Sequence, residues 1–303
     1  MVHHVGQIAA LATAFCWTVT GITYQIAGRK IGSVNVNMIR MMIAIVLLSS
    51  YSYFAYGSFL PTNSTTHNIV WLSLSGLVGF VFGDLCLFQA YVLIGARVSM
   101  LIMTLSSPIA ALFGLLMMGE KLSPISLLGM ALTLIGIATV ILEKPSSTTD
   151  AEGNGKLKLS YPLKGLLLAL GGAFGQGFGL VLSKYGIGSY NPIQGTEIRA
   201  IAALVGFAAV FFVIKQWPKF FQSVKNPKVV GVVAVGSVFG PFLGVSLSLF
   251  AVQHTATGIA STIMSIMPIL IIPVSIVMFK EKVTFKEIAG AAIAIVGVAL
   301  FFL

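Results

Sequence analysis

The sequence predicts an all-α membrane protein with ten transmembrane helices, arranged as two inverted repeats of five helices each. Three observations support this prediction: the composition, the number of apolar segments and an internal duplication. Of the 303 residues, 57% are hydrophobic and only 9% are charged, and the mean hydropathy is +0.99. Because soluble domains carry about 25% charged residues, the composition excludes an ordinary soluble domain.

Ten apolar segments have about the 20 residues that a helix needs to span the hydrocarbon core of a bilayer. We number them predicted helices 1 to 10, and they lie at residues 7–27, 33–57, 69–93, 97–118, 123–142, 162–186, 193–214, 228–252, 256–279 and 284–303. No basic segment precedes the first of them, so we expect a retained helix rather than a cleaved signal peptide.

One sequence pattern occurs twice, once near the middle of the chain and once near its end. Residues 119–142 read GEKLSPISLLGMALTLIGIATVIL, and residues 280–302 read KEKVTFKEIAGAAIAIVGVALFF. Gly136 of the first copy corresponds to Gly297 of the second, 161 residues later. Further matches continue upstream of each copy, so the two halves of the chain are versions of one unit.

The duplication divides the chain into three parts. Residues 1–142 form the first five-helix repeat and residues 162–303 form the second. The polar segment between them, 143–161, is predicted to be a flexible linker. Because each repeat contains an odd number of helices, the second must cross the membrane in the opposite orientation. Inverted repeats of this kind are typical of secondary transporters.

The net charge of +10 indicates an orientation in the membrane rather than a nucleic-acid partner. Fourteen of the eighteen Lys and Arg residues fall around the loops that follow predicted helices 1, 3, 5, 7 and 9, without interleaved aromatic residues. The positive-inside rule places these odd-numbered loops in the cytoplasm and both termini outside. We therefore expect a multi-pass protein of the cell's cytoplasmic (inner) membrane.

The sequence motifs indicate no enzyme, metal site or bound cofactor. Cys16 and Cys86 lie in predicted helices, without the spacing of a metal or disulfide motif. HExxH, GxSxG and Walker sequences are absent from the chain. Transport would then be driven by an ion gradient or by the gradient of the solute itself.

Proline, arginine and glycine recur at matching places in the two copies. Pro108 precedes the segment AALFGLLMMGEKLS, Pro268 precedes FKEKVT, and a glycine-spaced helix follows each. Arg40 and Arg199 lie in predicted helices 2 and 7. With these features the chain resembles, over nearly its whole length, the EamA-type family of ten-helix carriers in the drug/metabolite transporter superfamily. The resemblance implies a metabolite exporter, but no particular substrate.

Four charged residues lie inside predicted helices and away from the helix ends, where a charge costs about 2.5–3.5 kcal/mol and is seldom kept without a role. Arg40 and Arg199 occupy corresponding positions in the two repeats, which favours an architectural role over direct substrate contact without excluding the latter. Asp84 and Glu197 have no acidic counterparts. Asp84 could bind a proton or a cationic substrate, or form a structural ion pair with Arg40. Glu197 lies nearer the outer face, where we expect a role at the mouth of a pore.

Uncharged residues inside the predicted helices give further candidates. Four polar or aromatic side chains are expected to line a cavity or to pack in the core: Trp17, Gln176, Gln89 and Tyr24. Four prolines in predicted helices 4, 8 and 9 are candidate hinges, and harmless kinks are equally compatible with the sequence: Pro108, Pro241, Pro268 and Pro273.

Together these features predict a secondary active transporter, an exporter or facilitator of small organic solutes such as amino acids or related metabolites. A central cavity between the inverted repeats would open alternately to the two sides of the membrane, with Asp84 as the candidate for coupling to protons. The alternatives are a membrane-embedded enzyme or lipid-processing protein, and a channel. The expected partners are a small-molecule substrate and the lipid bilayer, and the sequence is compatible with a monomer or a homodimer.

Overall fold

A computed structural model describes residues 5–119, 124–141, 161–279 and 284–300, and every regular element in these ranges is a helix. The first repeat contains α1 (Val5–Ile31), α2 (Ser33–Tyr56), α3 (Thr66–Gly76), α4 (Asp84–Met103), α5 (Ser106–Met118) and α6 (Pro124–Ile141). The second contains α7 (Leu163–Ile187), α8 (Pro192–Val213), α9 (Trp217–Val224), α10 (Pro227–Ser237), α11 (Val245–His254), α12 (Thr257–Met264), α13 (Met267–Phe279) and α14 (Phe285–Ala299). Seven-residue π-helices join α3 to α4 (Leu77–Gly83) and α10 to α11 (Val238–Gly244).

Within the described ranges, six helical stretches are long and apolar enough to cross a membrane: Val5–Ile31, Ser33–Tyr56, Thr66–Met103, Leu163–Ile187, Pro192–Val213 and Pro227–His254. They contain predicted helices 1, 2, 3, 6, 7 and 8. Predicted helices 4 and 9 are each divided between two shorter helical pieces, and α6 and α14 adjoin residues outside the described ranges. The chain therefore has an all-helical, multi-pass membrane fold, in which six of the ten predicted spans are recognisable by helix length.

Interruptions of the helices recur at corresponding positions in the two repeats. The two π-helices begin 161 residues apart. Gly95 interrupts α4 with a φ of 81°, which glycine adopts readily, and the second repeat turns at Thr255, between α11 and α12. Two-residue breaks at 104–105 and 265–266 then separate α4 from α5 and α12 from α13. The duplication is thus visible in the backbone as well as in the sequence.

Three of the four prolines lie in or beside these interruptions. Pro108 is the third residue of α5 and Pro268 the second residue of α13, positions at which a helix N–H has no partner within the helix. Pro241 lies inside the second π-helix, whereas Pro273 lies in the interior of α13. Pro108 and Pro268 therefore lie in the first turn of the helix that follows each break, not in the break itself.

The two copies of the duplicated segment pack against each other as α6 and α14. A β-carbon added at Gly136 would lie 2.6 Å from the amide nitrogen of Ala294 and 2.6 Å from the carbonyl oxygen of Gly290. One added at Gly297 would lie 2.5 Å from the amide nitrogen of Thr133. Small residues therefore let the two backbones touch, as in other close helix pairs of membrane proteins.

The short helix α9 has no counterpart among the predicted helices. Its Trp217 ring packs edge-on against Phe211 of α8 and against Phe220, with centroid distances of 5.3 Å and 6.0 Å. These contacts fold α9 back onto the end of α8. A search for apolar segments of spanning length misses such a helix, because it has only eight residues.

Candidate functional site

Arg40 of α2 and Asp84 of α4 form a buried ion pair. Both residues are 4% exposed, and the Arg40 Nη2 donates a hydrogen bond to the Asp84 Oδ2. The Arg40 Nε donates to the Oδ1 of Asn37 at 3.0 Å, and the Asn37 amide donates to the Asp84 backbone oxygen at 3.3 Å. Because isolated charges are costly in this environment, each member of the pair stabilises the other.

The second repeat supplies another donor to the same carboxylate. Gln176 of α7 donates from Nε2 to the Oδ1 of Asp84 at 2.6 Å. Two glycines allow α7 to come this close, since a β-carbon at Gly175 would lie 2.5 Å from the Cα of Gly83. The two Asp84 oxygens are therefore held by one donor from each repeat.

The first π-helix determines where Asp84 stands. The backbone N–H of Asp84 donates to the carbonyl of Gly79, five residues earlier, as the wider π turn requires. The same carbonyl accepts a longer hydrogen bond, 3.4 Å, from the Gln176 side chain. Short π-helical turns inside α-helices are frequent at functional sites.

Arg199 of α8 places a second guanidinium near the pair. Arg199 is 3% exposed, and its Cζ lies 4.6 Å from the centroid of the Phe80 ring. The Arg40 Cζ lies 5.6 Å from the same ring, so both cations contact one aromatic side chain. The Arg199 Nε is buried and has no hydrogen-bond partner among the described residues.

A cavity of two adjoining lobes surrounds these groups. The lobes contain about 500 Å³ and about 510 Å³ of non-atom space, which includes space open to the surroundings. Arg199 lines the first lobe, whereas Arg40 and Asp84 line the second. Both repeats contribute to the residues that the lobes share: Trp17, Phe80, Met103, Gln176, Val245 and Met267.

Trp17 and Tyr24 bring aromatic surface from α1 to this cavity. Trp17 lines both lobes, and Tyr24 lines the second, with its ring centroid 4.8 Å from that of Phe88. Tyr24 is 2% exposed, and its hydroxyl lies near the side chains of Ser237 and Arg40 but forms no hydrogen bond of normal geometry within the described part of the chain. Because an unsatisfied buried polar group costs about 1–3 kcal/mol, this hydroxyl is a candidate for contact with a ligand.

Glu197 and Gln89 do not line either lobe of the cavity. Glu197 is fully buried and accepts hydrogen bonds from Ser49 at 2.8 Å and Ser52 at 2.7 Å, both on α2. The Gln89 side-chain oxygen accepts from Ser33 at 2.6 Å. These contacts join α8 and α4 to α2. The expected place of Glu197 at a pore mouth differs from its position between two packed helices.

A second buried ion pair was not predicted from the sequence. The Arg97 Nη1 lies 2.9 Å from the Glu287 Oε2, with side-chain exposures of 11% and 9%. The Tyr161 hydroxyl donates to the Glu287 Oε1 at 3.0 Å, and the Thr284 backbone N–H donates to Oε2 at 2.9 Å. The contact with Thr284 belongs to a capping box at the start of α14. The sequence signal that could have predicted the capping box is the spacing T-x-x-E just before an apolar segment.

A hydroxyl contact between the broken helices was also missed. The Oγ atoms of Ser107 in α5 and Ser265 in the break before α13 lie 2.8 Å apart. Ser265 also donates to the Ser261 carbonyl at 2.8 Å. Serines in apolar helices commonly bond to a carbonyl of their own helix, so the sequence does not distinguish those that also bridge two helices.

The site offers hydrogen bonding, charge and aromatic contact to a ligand. Within the ranges that the structure describes, no three His, Cys, Asp or Glu side chains come together as a metal-binding group.

Comparison with known proteins agrees with the duplicated helical architecture. The model of the EamA-like transporter family matches the chain twice, at residues 4–142 and 163–303. An uncharacterized transporter from Archaeoglobus fulgidus is 28% identical over 142 residues, which cover 45% of this chain and 46% of the relative. The matched part therefore spans about half the length of that curated relative.

A solved crystal structure is similar to almost the entire fold. The similarity covers 97% of this chain and 95% of the other, with a TM-score of 0.63 and 16% sequence identity. At this identity the likeness concerns the fold alone. Because the two family matches together include most of both repeats, this membrane transporter belongs to the EamA-like transporter family, within the drug/metabolite transporter superfamily.

Proposed function

We propose that the protein is a secondary active transporter, an exporter or facilitator of small organic solutes such as amino acids or related metabolites. The observation that carries this proposal is the cluster of Arg40, Asp84 and Gln176 beside a cavity that both repeats line. Polar groups between repeats are typical of the sites at which transporters bind solutes and coupling ions.

Alternating access would use the two inverted repeats and ten spanning helices predicted from the sequence. In this proposal the repeats rock against each other, and the breaks at 104–105 and 265–266 absorb the change in backbone direction. Met103 and Met267, which adjoin these breaks, both line the cavity. A small movement at either break would therefore change the shape of the solute site.

Asp84 is the proposed group for coupling to protons. Its two oxygens accept hydrogen bonds from Arg40 and Gln176. Protonation would remove the negative charge that holds the Arg40 guanidinium, and would loosen the contact between α2 and α4. Proton binding and release would in this way bias the two conformations of the carrier.

The test is uptake into proteoliposomes at several pH values. The solute is selected beforehand by a thermal-stabilisation screen of the purified protein against amino acids and metabolites. Wild-type uptake should depend on pH, and Asp84→Asn should remove that dependence. Glu197→Gln is the matched control, because it changes another buried carboxyl that lines neither lobe and should leave the pH profile intact.

An unchanged pH profile in the Asp84→Asn protein would exclude coupling through this carboxylate. Saturable counterflow is expected of a carrier, whereas large single-channel currents would contradict alternating access.

The proposed location is the cytoplasmic (inner) membrane, with both termini outside, odd-numbered loops in the cytoplasm, and a monomeric or homodimeric state. Four lysines between α8 and α10 or at their ends support this orientation: Lys215, Lys219, Lys225 and Lys228. A cysteine introduced by Val2→Cys should react with an impermeant maleimide in intact cells. Failure to label it, with labelling after permeabilisation, would reverse the proposed orientation.

A further inference from the structure

We propose that Arg199 anchors the carboxylate of the transported solute, so that the substrate class is monocarboxylates with an apolar remainder. Amino acids fall in this class, but their ammonium group is not required for binding. This inference rests on the proposed function, because it names the solute group that the transporter cavity takes.

The two repeats place an arginine at corresponding positions but supply a carboxylate to only one of them. Arg40 of the first repeat pairs with Asp84. In the second repeat the corresponding arginine is Arg199, and the residue corresponding to Asp84 is Val245. Val245 and Arg199 both line the first lobe of the cavity. The second half of the site therefore has the cation and adjoining empty space, but no acidic side chain at the matching position.

The charges that line the cavity do not balance. Arg199 is buried, its Nε lacks a hydrogen-bond partner among the described residues, and its guanidinium stacks on Phe80. Asp84, the carboxylate of the described lining, accepts hydrogen bonds from Arg40 and Gln176 and also interacts electrostatically with Arg199, so the two guanidiniums share one carboxylate. Two guanidiniums and one carboxylate give the described lining a net charge of +1. A buried charge without a partner of opposite sign is strongly unfavourable. One monoanionic group bound in the cavity would balance the extra positive charge.

The shape and chemistry of the cavity favour a carboxylate with an apolar remainder. A carboxylate presents two oxygens in one plane, which match the planar fork of a guanidinium. The Tyr24 hydroxyl in the adjoining lobe is a second buried polar group that forms no hydrogen bond of normal geometry in the described residues, with Ser237 and Arg40 nearby. Apolar side chains line much of the first lobe, among them Met103, Leu180 and Met264. For an ammonium group the described lining offers one carboxylate, Asp84, and that carboxylate already balances the charge of a guanidinium.

Three probes that share one side chain test this recognition. N-acetyl-leucine has a carboxylate but no amine, leucinamide has an amine but no carboxylate, and leucine has both. The unfolding temperature of the purified full-length protein in detergent is measured against the concentration of each probe, because a ligand of the folded state raises it. N-acetyl-leucine and leucine should raise the unfolding temperature, and leucinamide should not. Stabilisation by leucinamide alone, or by none of the three, would overturn the proposal.

Substitutions at Val245 sharpen the test. Val245→Asp supplies the carboxylate that the second repeat lacks, and should weaken the apparent affinity for N-acetyl-leucine by about ten-fold or more, as should Arg199→Gln. Val245→Asn is the comparison variant, because asparagine has nearly the shape of aspartate without its charge, and Val245→Asp should bind N-acetyl-leucine about ten-fold more weakly than Val245→Asn. Each variant is compared with its own unfolding temperature without probe. Undiminished binding by both Val245→Asp and Arg199→Gln would remove Arg199 from the site.

Counterflow in proteoliposomes separates this inference from the proposed function. We expect N-acetyl-leucine to compete with the exchange of labelled leucine. Saturable exchange of leucinamide that N-acetyl-leucine does not affect would support a transporter and overturn the carboxylate site. Specific stabilisation by N-acetyl-leucine without saturable exchange of any probe would support the Arg199 anchor and count against the transport of this class.

Discussion

Replacement of Gly136 by alanine tests a close backbone approach between the two repeats. A β-carbon at this position of α6 would lie 2.6 Å from the Ala294 nitrogen, 2.6 Å from the Gly290 oxygen and 2.9 Å from the Ala294 Cα. Non-bonded heavy atoms prefer separations of about 3.5 Å, so α6 and α14 would have to part by roughly 0.9 Å here. Forced backbone shifts in a packed interior cost about 1–3 kcal/mol.

Gly231→Ala in α10 is the matched control, because an added β-carbon there meets no atom within 4 Å. Alanine gains about 1 kcal/mol over glycine in intrinsic helix propensity at either position, so the difference between the variants isolates the contact. Gly136→Ala should have a free energy of unfolding about 1–3 kcal/mol lower than Gly231→Ala, measured by reversible denaturation in mixed micelles. Equal stability of the two variants would refute the tight contact between α6 and α14.

Two buried polar contacts give further predictions. Arg97→Gln leaves the Glu287 carboxylate without its arginine and should cost about 3 kcal/mol, and adding Glu287→Gln should recover part of that loss, because the unpaired charge is then gone. A double-mutant cycle of unfolding free energies checks this, and strictly additive losses would contradict the pair. Ser49→Ala and Ser52→Ala each remove a donor to the buried Glu197 and should each lower stability by about 1–3 kcal/mol. Unfolding temperatures equal to wild type would show that the two hydroxyls do not hold this carboxylate.

The unbroken long helices were predictable because an apolar segment of spanning length has few other stable conformations in a membrane. The interruptions were not. The residues at 104–105 and 265–266 are Thr-Leu and Ser-Ile, which occur readily inside helices. Thr104 and Leu105 keep right-handed helical φ and ψ, and the interruption there is a tighter turn, in which the Thr104 N–H donates to the Leu101 carbonyl and the Leu105 N–H to the Ile102 carbonyl. The prolines locate the breaks only approximately, since Pro108 and Pro268 follow them by three and two residues, respectively.

The part of the candidate site that could be predicted is the ion pair, because a buried charge needs a partner of opposite sign. Arg40 and Asp84 were expected at similar depth, and the structure brings them together. Glu197 shows the limit of that reasoning, because depth along a helix does not say which face a side chain occupies. Arg97 and Glu287 lie in different repeats, and only the packing of α4 against the start of α14 reveals their contact.

The matching π-helices imply an order of events in the history of the chain. Each widens a helix at the same place in its repeat, as expected if the half-length unit contained this turn when it was duplicated. Asp84 follows the first π-helix and Val245 follows the second, so the acidic residue was gained or lost later, within a backbone that did not change. An ancestor that paired with itself would have presented two equivalent faces to its solute. Fusion allowed the faces to diverge, one keeping a carboxylate of its own and the other leaving its arginine free to meet a different anion.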